Sequence, residues 1–124
     1  MQKLVALLVL LGISGISFAN NCENPRNTYD EVYCLNKVFA SADRELNQNY
    51  QKLRGHLNQR QKNILKTAQL SWIRERDARC SDDAIQTVYV RCNLNETTSR
   101  NAWLRERIRE CQTIGCQTQK LYDD

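Results

Sequence analysis

Six cysteines, one histidine and a scatter of carboxylates are the side chains whose types and spacing invite a chemical reading. Cys22, Cys34, Cys80, Cys92, Cys111 and Cys116 are even in number, and thiols can ligate a metal, exchange with disulfides or simply bridge. The closest pair is Cys-x4-Cys, no Cys-x-x-Cys occurs, and His56 stands far from it in sequence. Zinc-type and redox spacings are therefore absent, and neither metal nor cofactor is expected. His56 sits in Arg54-Gly55-His56-Leu57 with no neighbour of the kind that orients a general base, so it reads as an exposed turn residue. Asp43, Glu45, Glu75 and Asp77 could meet as an acid and a base of the glycosidase kind. Arg44, Arg74, Arg76 and Arg79 crowd them, so ion pairs are the expected outcome. With no nucleophile beside a base and no phosphate-binding loop, an enzyme is not expected.

Bridges need an oxidising compartment, and the N-terminus supplies a route to one. Met1-Gln2-Lys3 begins with charge, Leu4 to Ile16 is apolar, and Ser17-Phe18-Ala19 has the small-x-small form of a cleavage site. A signal peptide over residues 1–19 is expected, leaving residues 20–124 as one domain in the periplasm or outside the cell. The apolar run is shorter than the about 20 residues of a spanning helix, so no membrane span is expected. Two asparagines separate Ala19 from Cys22, which argues against a lipid anchor. The formal charge of +4 falls to +3 once Lys3 leaves with the leader. Signs alternate in Arg74-Glu75-Arg76-Asp77 and Arg105-Glu106-Arg107, as on solvated helix faces with local ion pairs. Nucleic acid is not an expected partner.

Three helices would have to position these residues. Thr28-Tyr29-Asp30-Glu31 has the form of a capping box, and Leu35, Phe39, Ala42, Leu46, Tyr50 and Leu53 recur at three and four residues to about Arg54, where Gly55 ends the run. A second helix is predicted from about Gln59 to Arg79, with Leu65, Ala68, Gln69, Trp72, Ile73 and Arg76 on the face turned to the first. The third carries Leu94, Thr97, Asn101, Leu104, Ile108 and Cys111 on one face, with Asn93 or Asn95 as its cap. The segment from Ser81 to Arg91 reads as loop or early helix. The fold class is all-α: a small three-helix antiparallel bundle stapled by three disulfides.

Cys111 with Cys116 is the simplest local bridge, since Gly115 lets the chain fold back. The other four cysteines allow three connectivities. Cys34 with Cys92 and Cys22 with Cys80 is the expected pairing, because Cys34 and Cys92 each sit near the start of a helix. Gln69, Trp72, Arg76 and Asp77 place an amide, an indole and a guanidinium at helical spacing beside Cys80, a structural motif in which Trp72 fills the gap between helices. Trp103 falls beside the Leu104 stripe, and is either an exposed anchor for a partner or partly buried.

Cys34-Leu35, Ala42-Asp43-Arg44-Glu45-Leu46-Asn47 with Tyr50, Ala68-Gln69-Leu70-Ser71-Trp72-Ile73, Arg76-Asp77-Ala78-Arg79-Cys80, and Cys92, Thr98, Arg100 and Leu104 together resemble the lysozyme-inhibitor LprI family of secreted bacterial proteins. The resemblance covers Cys22 to about Arg107, and Cys111 with Cys116 is an addition to the common pattern. It implies a helical, disulfide-bonded envelope protein, some of whose relatives inhibit lysozyme and so protect peptidoglycan, and it carries over no shared catalytic residues. The expected partner is a protein, a lysozyme or another muramidase; the competing readings are an envelope adaptor and an immunity-type inhibitor of a bacterial peptidoglycan-cleaving toxin. A net charge of +3 gives no long-range attraction to a basic lysozyme. Asp82 and Asp83, in a loop held between Cys80 and Cys92, are the expected local contact, with Trp103 as a second partner-binding residue.

Overall fold

Asn27 starts the first helix. Its side-chain oxygen accepts from the Asp30 amide at 2.8 Å, and α1 runs Thr28–Arg54 in a computed structural model that describes residues 22–84 and 87–122. The expected leader lies outside the described residues. Asn27, not Thr28, is thus the cap: an Asx side chain one residue earlier reaches the same amide row, and Asp30 and Glu31 fall in the positive first turn. Gly55 closes α1 in the right-handed region at φ −61°, so glycine's extra freedom is not used there.

A turn through Leu57 leads to Asn58, which forms a reciprocal capping box with Gln61 and opens α2, Gln59–Arg79. The chain then makes a feature the sequence reading did not foresee, a two-stranded antiparallel hairpin with β1 at Ser81–Asp82 and β2 at Thr87–Val88. Strands of two residues are too short to show an alternating pattern. Helix α3, Val90–Thr113, begins earlier than its asparagines suggest, directly after Tyr89 and without a side-chain cap. Asn93, expected as a cap, is instead buried inside the helix. Gly115, at φ +103°, turns the chain into a 3₁₀ turn at Thr118–Leu121, whose Leu121 is buried.

The helices form the expected all-α bundle, running up, down and up. Helices α1 and α3 are parallel and in the closest approach, matched at Glu31 with Arg91, at Ala42 with Asn101, and near the far end at His56 with Cys116. Helix α2 runs against both, with Arg79 near Glu96 and Gln61 near Thr118. The shared interior holds Leu46, Leu53, Leu57, Leu65, Trp72, Leu104, Ile108 and Leu121, drawn from every helix, the α1–α2 turn and the tail. Each such side chain contributes roughly 1.5–3 kcal/mol of burial.

Three disulfides staple the bundle, each spanning a short stretch of chain: Cys22–Cys34, Cys80–Cys92 and Cys111–Cys116. The expected pairs Cys34–Cys92 and Cys22–Cys80 do not form. The hairpin ladder, with the Tyr89 amide donating to the Cys80 carbonyl at 2.7 Å, brings Cys80 and Cys92 to a Cα separation of 5.3 Å. Cys34 is met by the segment preceding its own helix, which folds back to place Cys22 at a Cα distance of 5.8 Å. Equal height in the bundle was the right inference for Cys34 and Cys92, but pairing follows the local backbone. No helix among the described residues is long and apolar enough to cross a membrane.

Candidate partner-binding site

Helix α2 stands off from the other two because its seam is filled by rings and guanidiniums. Gln69 and Trp72 are buried, and Arg76 leans on two rings, 5.7 Å from the Phe39 centroid and 5.2 Å from that of Trp72. Arg100 follows on the other side, 5.5 Å from Trp72 and 3.9 Å from Trp103, and Arg107 lies 5.3 Å beyond on Trp103. The result is an alternating ladder: Phe39, Arg76, Trp72, Arg100, Trp103, Arg107. A guanidinium keeps its charge in such a place because its flat face stacks while its edges donate.

Most of those edges find acceptors, although Arg107 Nε is buried without one among the described residues. Arg76 donates to Asp77 at 3.0 Å and to the Thr97 hydroxyl at 3.1 Å, with Asp43 at 3.8 Å; Arg100 donates to the Gln69 carbonyl oxygen at 2.9 Å. The ladder ends on Glu110, only 3 % exposed, which accepts from Arg107 at 2.9 Å and Lys120 at 3.0 Å. Burial pushes the Glu110 carboxyl up, but the hydrogen bonds from Lys120 and Arg107 outweigh it and leave its pKa below the ordinary carboxylate value. On the surface nearby, the Arg109 hydrogen bond lowers Glu106 in the same way. Gln69, Trp72, Arg76 and Asp77 are therefore members of one structural seam.

Trp103 belongs to that seam too. It is partly buried between Arg100 and Arg107, about 20 Å along α3 from its start at a rise of about 1.5 Å per residue, so it does not meet Asp82 or Asp83. Sequence reasoning missed Arg100, Arg107 and Glu110 as buried groups. Their spacing from Trp103 by three, four and seven residues is the signal that places all four along one side of α3.

The hairpin end is built differently. Asp82 is partly buried and its Oδ1 accepts from the Ala84 amide at 3.0 Å, fixing the turn; Asp83 is exposed. Ser81 donates to the Asp77 carbonyl at 2.6 Å, and the Cys80–Cys92 bridge closes the base, so the backbone beneath both carboxylates is held. Large apolar side chains that reach solvent gather at the same end: Tyr29 at 76 %, Val88 at 61 %, Tyr33 at 57 %, Val32 and Tyr89. Tyr29 and Tyr33 stack at 6.4 Å. A groove of about 580 Å³ opens there between the Cys22–Pro25 segment, α1 and α3, lined by Glu31, Leu35, Arg91 and Leu94.

Charge at this end is acidic. Glu23, Asp30, Glu31, Asp77, Asp82, Asp83 and Glu96 outnumber Arg26, Lys37, Arg76, Arg79 and Arg91, and the four arginines pair with Asp30, Asp77, Glu96 and Glu31 respectively. A net charge of +3 or +4 is therefore an average over two unlike ends. Among the described residues no group of His, Cys, Asp and Glu is placed to hold a metal ion. The arrangement suits a rigid protein-binding surface: exposed tyrosines and valines, a bridged turn, and carboxylates held in place.

Residues 19–104 of the chain match a family model described as lysozyme inhibitor LprI, a span that includes the seam from Phe39 to Trp103 and the whole hairpin end but stops short of Cys111 and Cys116. No curated protein and no solved structure matches the chain.

Proposed function

Because the chain belongs to the lysozyme-inhibitor LprI family, we propose that it is an exported binding protein that blocks a peptidoglycan-cleaving enzyme with its hairpin end. The observation that carries the reading is the joint placement, inside the matched span, of acidic and exposed aromatic side chains over a disulfide-closed turn. A lysozyme cleft works on an oxocarbenium-like sugar with a pair of carboxyl groups, and animal lysozymes are basic proteins as a whole. Acidic side chains at one end steer a basic partner toward that end even where the overall charge is positive, since approach is governed by the nearer field. Asp83, exposed at the turn, and Asp82 beside it are the groups that enter the cleft, and Val88, Tyr89, Tyr29 and Tyr33 supply apolar contact around them. Holding the turn before binding spares the ordering cost that a free loop would pay.

The test mixes the oxidised protein with c-type, g-type and i-type lysozymes and follows clearing of a peptidoglycan suspension, with a reduced and alkylated sample beside it. Inhibition of one class that disappears on reduction is the expected result. Unchanged lysis by all three classes, with no complex on a sizing column, rejects the reading in favour of an envelope adaptor or an immunity protein directed at a bacterial toxin.

A further inference from the structure

The end opposite the hairpin has a character of its own. From Glu45 to Glu75 the chain has no acidic residue, while Lys52, Arg54, Arg60, Lys62 and Lys66 surround the α1–α2 turn within that stretch. Among the described residues none of these five has a carboxylate within ion-pair distance. Most cations elsewhere are paired, Arg26, Arg79 and Arg91 at the hairpin end and Arg105, Arg107, Arg109 and Lys120 along α3 and the tail; Lys37, Arg44 and Arg74 are scattered exceptions with no ion pair among the described residues. The contrast is not one of composition alone, because Arg107 and Arg109 stand three residues from glutamates and Arg105 reaches Glu45 on α1, whereas Lys52, Arg60 and Lys62 have glutamine or asparagine beside them.

Two exposed apolar side chains share this end. The Cys111–Cys116 staple lies against the α1–α2 turn, with Cys116 Sγ 3.5 Å from the His56 carbonyl, and it holds out Ile114 at 76 % exposure. Tyr122, 47 % exposed, lines a groove along α2 together with Arg60.

We propose that the α1–α2 turn end docks on an anionic bilayer, its cations meeting lipid phosphates and Ile114 entering the headgroup layer. The five cations exceed the two carboxylates of Asp123 and Asp124 in number, and such an excess is felt over about 8 Å at physiological salt, enough to span the headgroup region. A bilayer offers both the phosphates and the apolar phase that this combination matches, whereas a soluble polyanion offers only the first. Each cation brought to such a surface strengthens binding about fivefold. Docked this way, the bundle points its hairpin end away from the membrane by the length of α1, about 40 Å for 27 residues. This goes beyond the inhibitor reading and does not depend on it.

The experiment sediments the oxidised protein with vesicles of phosphatidylglycerol and phosphatidylcholine, and with vesicles of phosphatidylcholine alone, over a range of salt. Binding to the anionic vesicles, none to the neutral ones, and release by salt are expected. Arg60→Glu with Lys62→Glu and Lys66→Glu lowers partitioning at least a hundredfold at unchanged circular dichroism and unchanged action on lysozyme. Lys52→Glu with Lys66→Glu, on exposed positions only, lowers it at least twentyfold, and Ile114→Ser lowers it a few-fold while keeping the salt dependence. No binding to anionic vesicles, equal binding to neutral ones, or full binding by the Lys52→Glu/Lys66→Glu protein overturns the proposal. Retention on immobilised polyphosphate without sedimentation on vesicles overturns it as well, and assigns the patch to a soluble polyanion.

Discussion

Along the α2–α3 seam, charged groups are buried against aromatic rings and the one bridge joining the two helices, Cys80–Cys92, lies at the seam's hairpin end, whereas at the hairpin end charged and aromatic groups lie in water above a backbone closed by bridges. The seam can hold Arg76 and Arg100 because each guanidinium stacks on indole and also donates to a neutral or anionic oxygen, which offsets much of its desolvation. At the hairpin, Cys80–Cys92 closes the base and the Asp82 side chain holds the Ala84 amide. One region specifies the fold, and the other is free to specify a partner.

The comparison breaks most readily at its centre. Trp72 touches both Arg76 and Arg100, so Trp72→Ala removes two cation–ring contacts and leaves a cavity, costing about 3–5 kcal/mol. Urea unfolding followed by circular dichroism measures it. Trp103→Ala, at a partly buried position, should cost less than half as much; equal losses at the two sites would mean that the seam extends to the surface without a gradient.

Removing the hairpin bridge comes next. Cys80→Ser with Cys92→Ser opens a 12-residue separation and should cost about 3 kcal/mol, against about 2 kcal/mol for the 5-residue separation of Cys111 and Cys116. The first pair is expected to abolish lysozyme inhibition under conditions where the helices remain folded, and the second to leave it intact. Loss of inhibition on removal of Cys111–Cys116 alone would move the binding surface to the other end.

Glu110 sharpens the seam side. Its pKa is lower in the folded state than the 4.5 of a free glutamate, so its contribution is fully present above that value and is lost as pH falls through the lowered folded value. Glu110→Gln should cost about 2 kcal/mol at neutral pH, because Arg107 keeps a neutral acceptor but loses its counter-charge. Thermal midpoints of the two proteins should converge as the solution is acidified, and parallel curves would show that Lys120 and Arg107 are solvated enough to make the pair irrelevant.

How much of this was legible depended on whether a feature is local and periodic. The stripe from Leu35 to Leu53 and the helix from Gln59 to Arg79 follow from spacing, since a face repeats every three or four residues. Spacing does not report the distance between two helices, and so Arg100 and Glu110, polar by type, could not be read as buried. The start of α3 was hidden for a related reason: it has no side-chain cap, and the hairpin ladder before it positions Tyr89 instead. The expected cysteine pairing differs from the observed one because spacing along the helices reports height in the bundle but not the folding back of residues 22–27 or the pairing of β1 with β2. Asp82 and Asp83 were singled out by type and by the flanking cysteines, but the tyrosines around them became a candidate surface only once their exposure was known.

The smallest expected effect on stability is the one that tests the functional half of the comparison. Asp82→Asn keeps an oxygen for the Ala84 amide, and Asp83→Asn alters an exposed position, so together they should change unfolding free energy by no more than about 0.5 kcal/mol. Two carboxylates removed from a surface that meets a basic enzyme should weaken inhibition at least tenfold and flatten its dependence on salt, with the change mainly in association rate if steering dominates and in dissociation rate if the carboxylates are buried in the complex. Kinetics of binding by the double variant, compared with Asp83→Asn alone, separates these. An unchanged inhibition constant would transfer recognition to Tyr29, Tyr33 and Val88, because those exposed groups share the hairpin end yet carry no charge for the salt dependence to report.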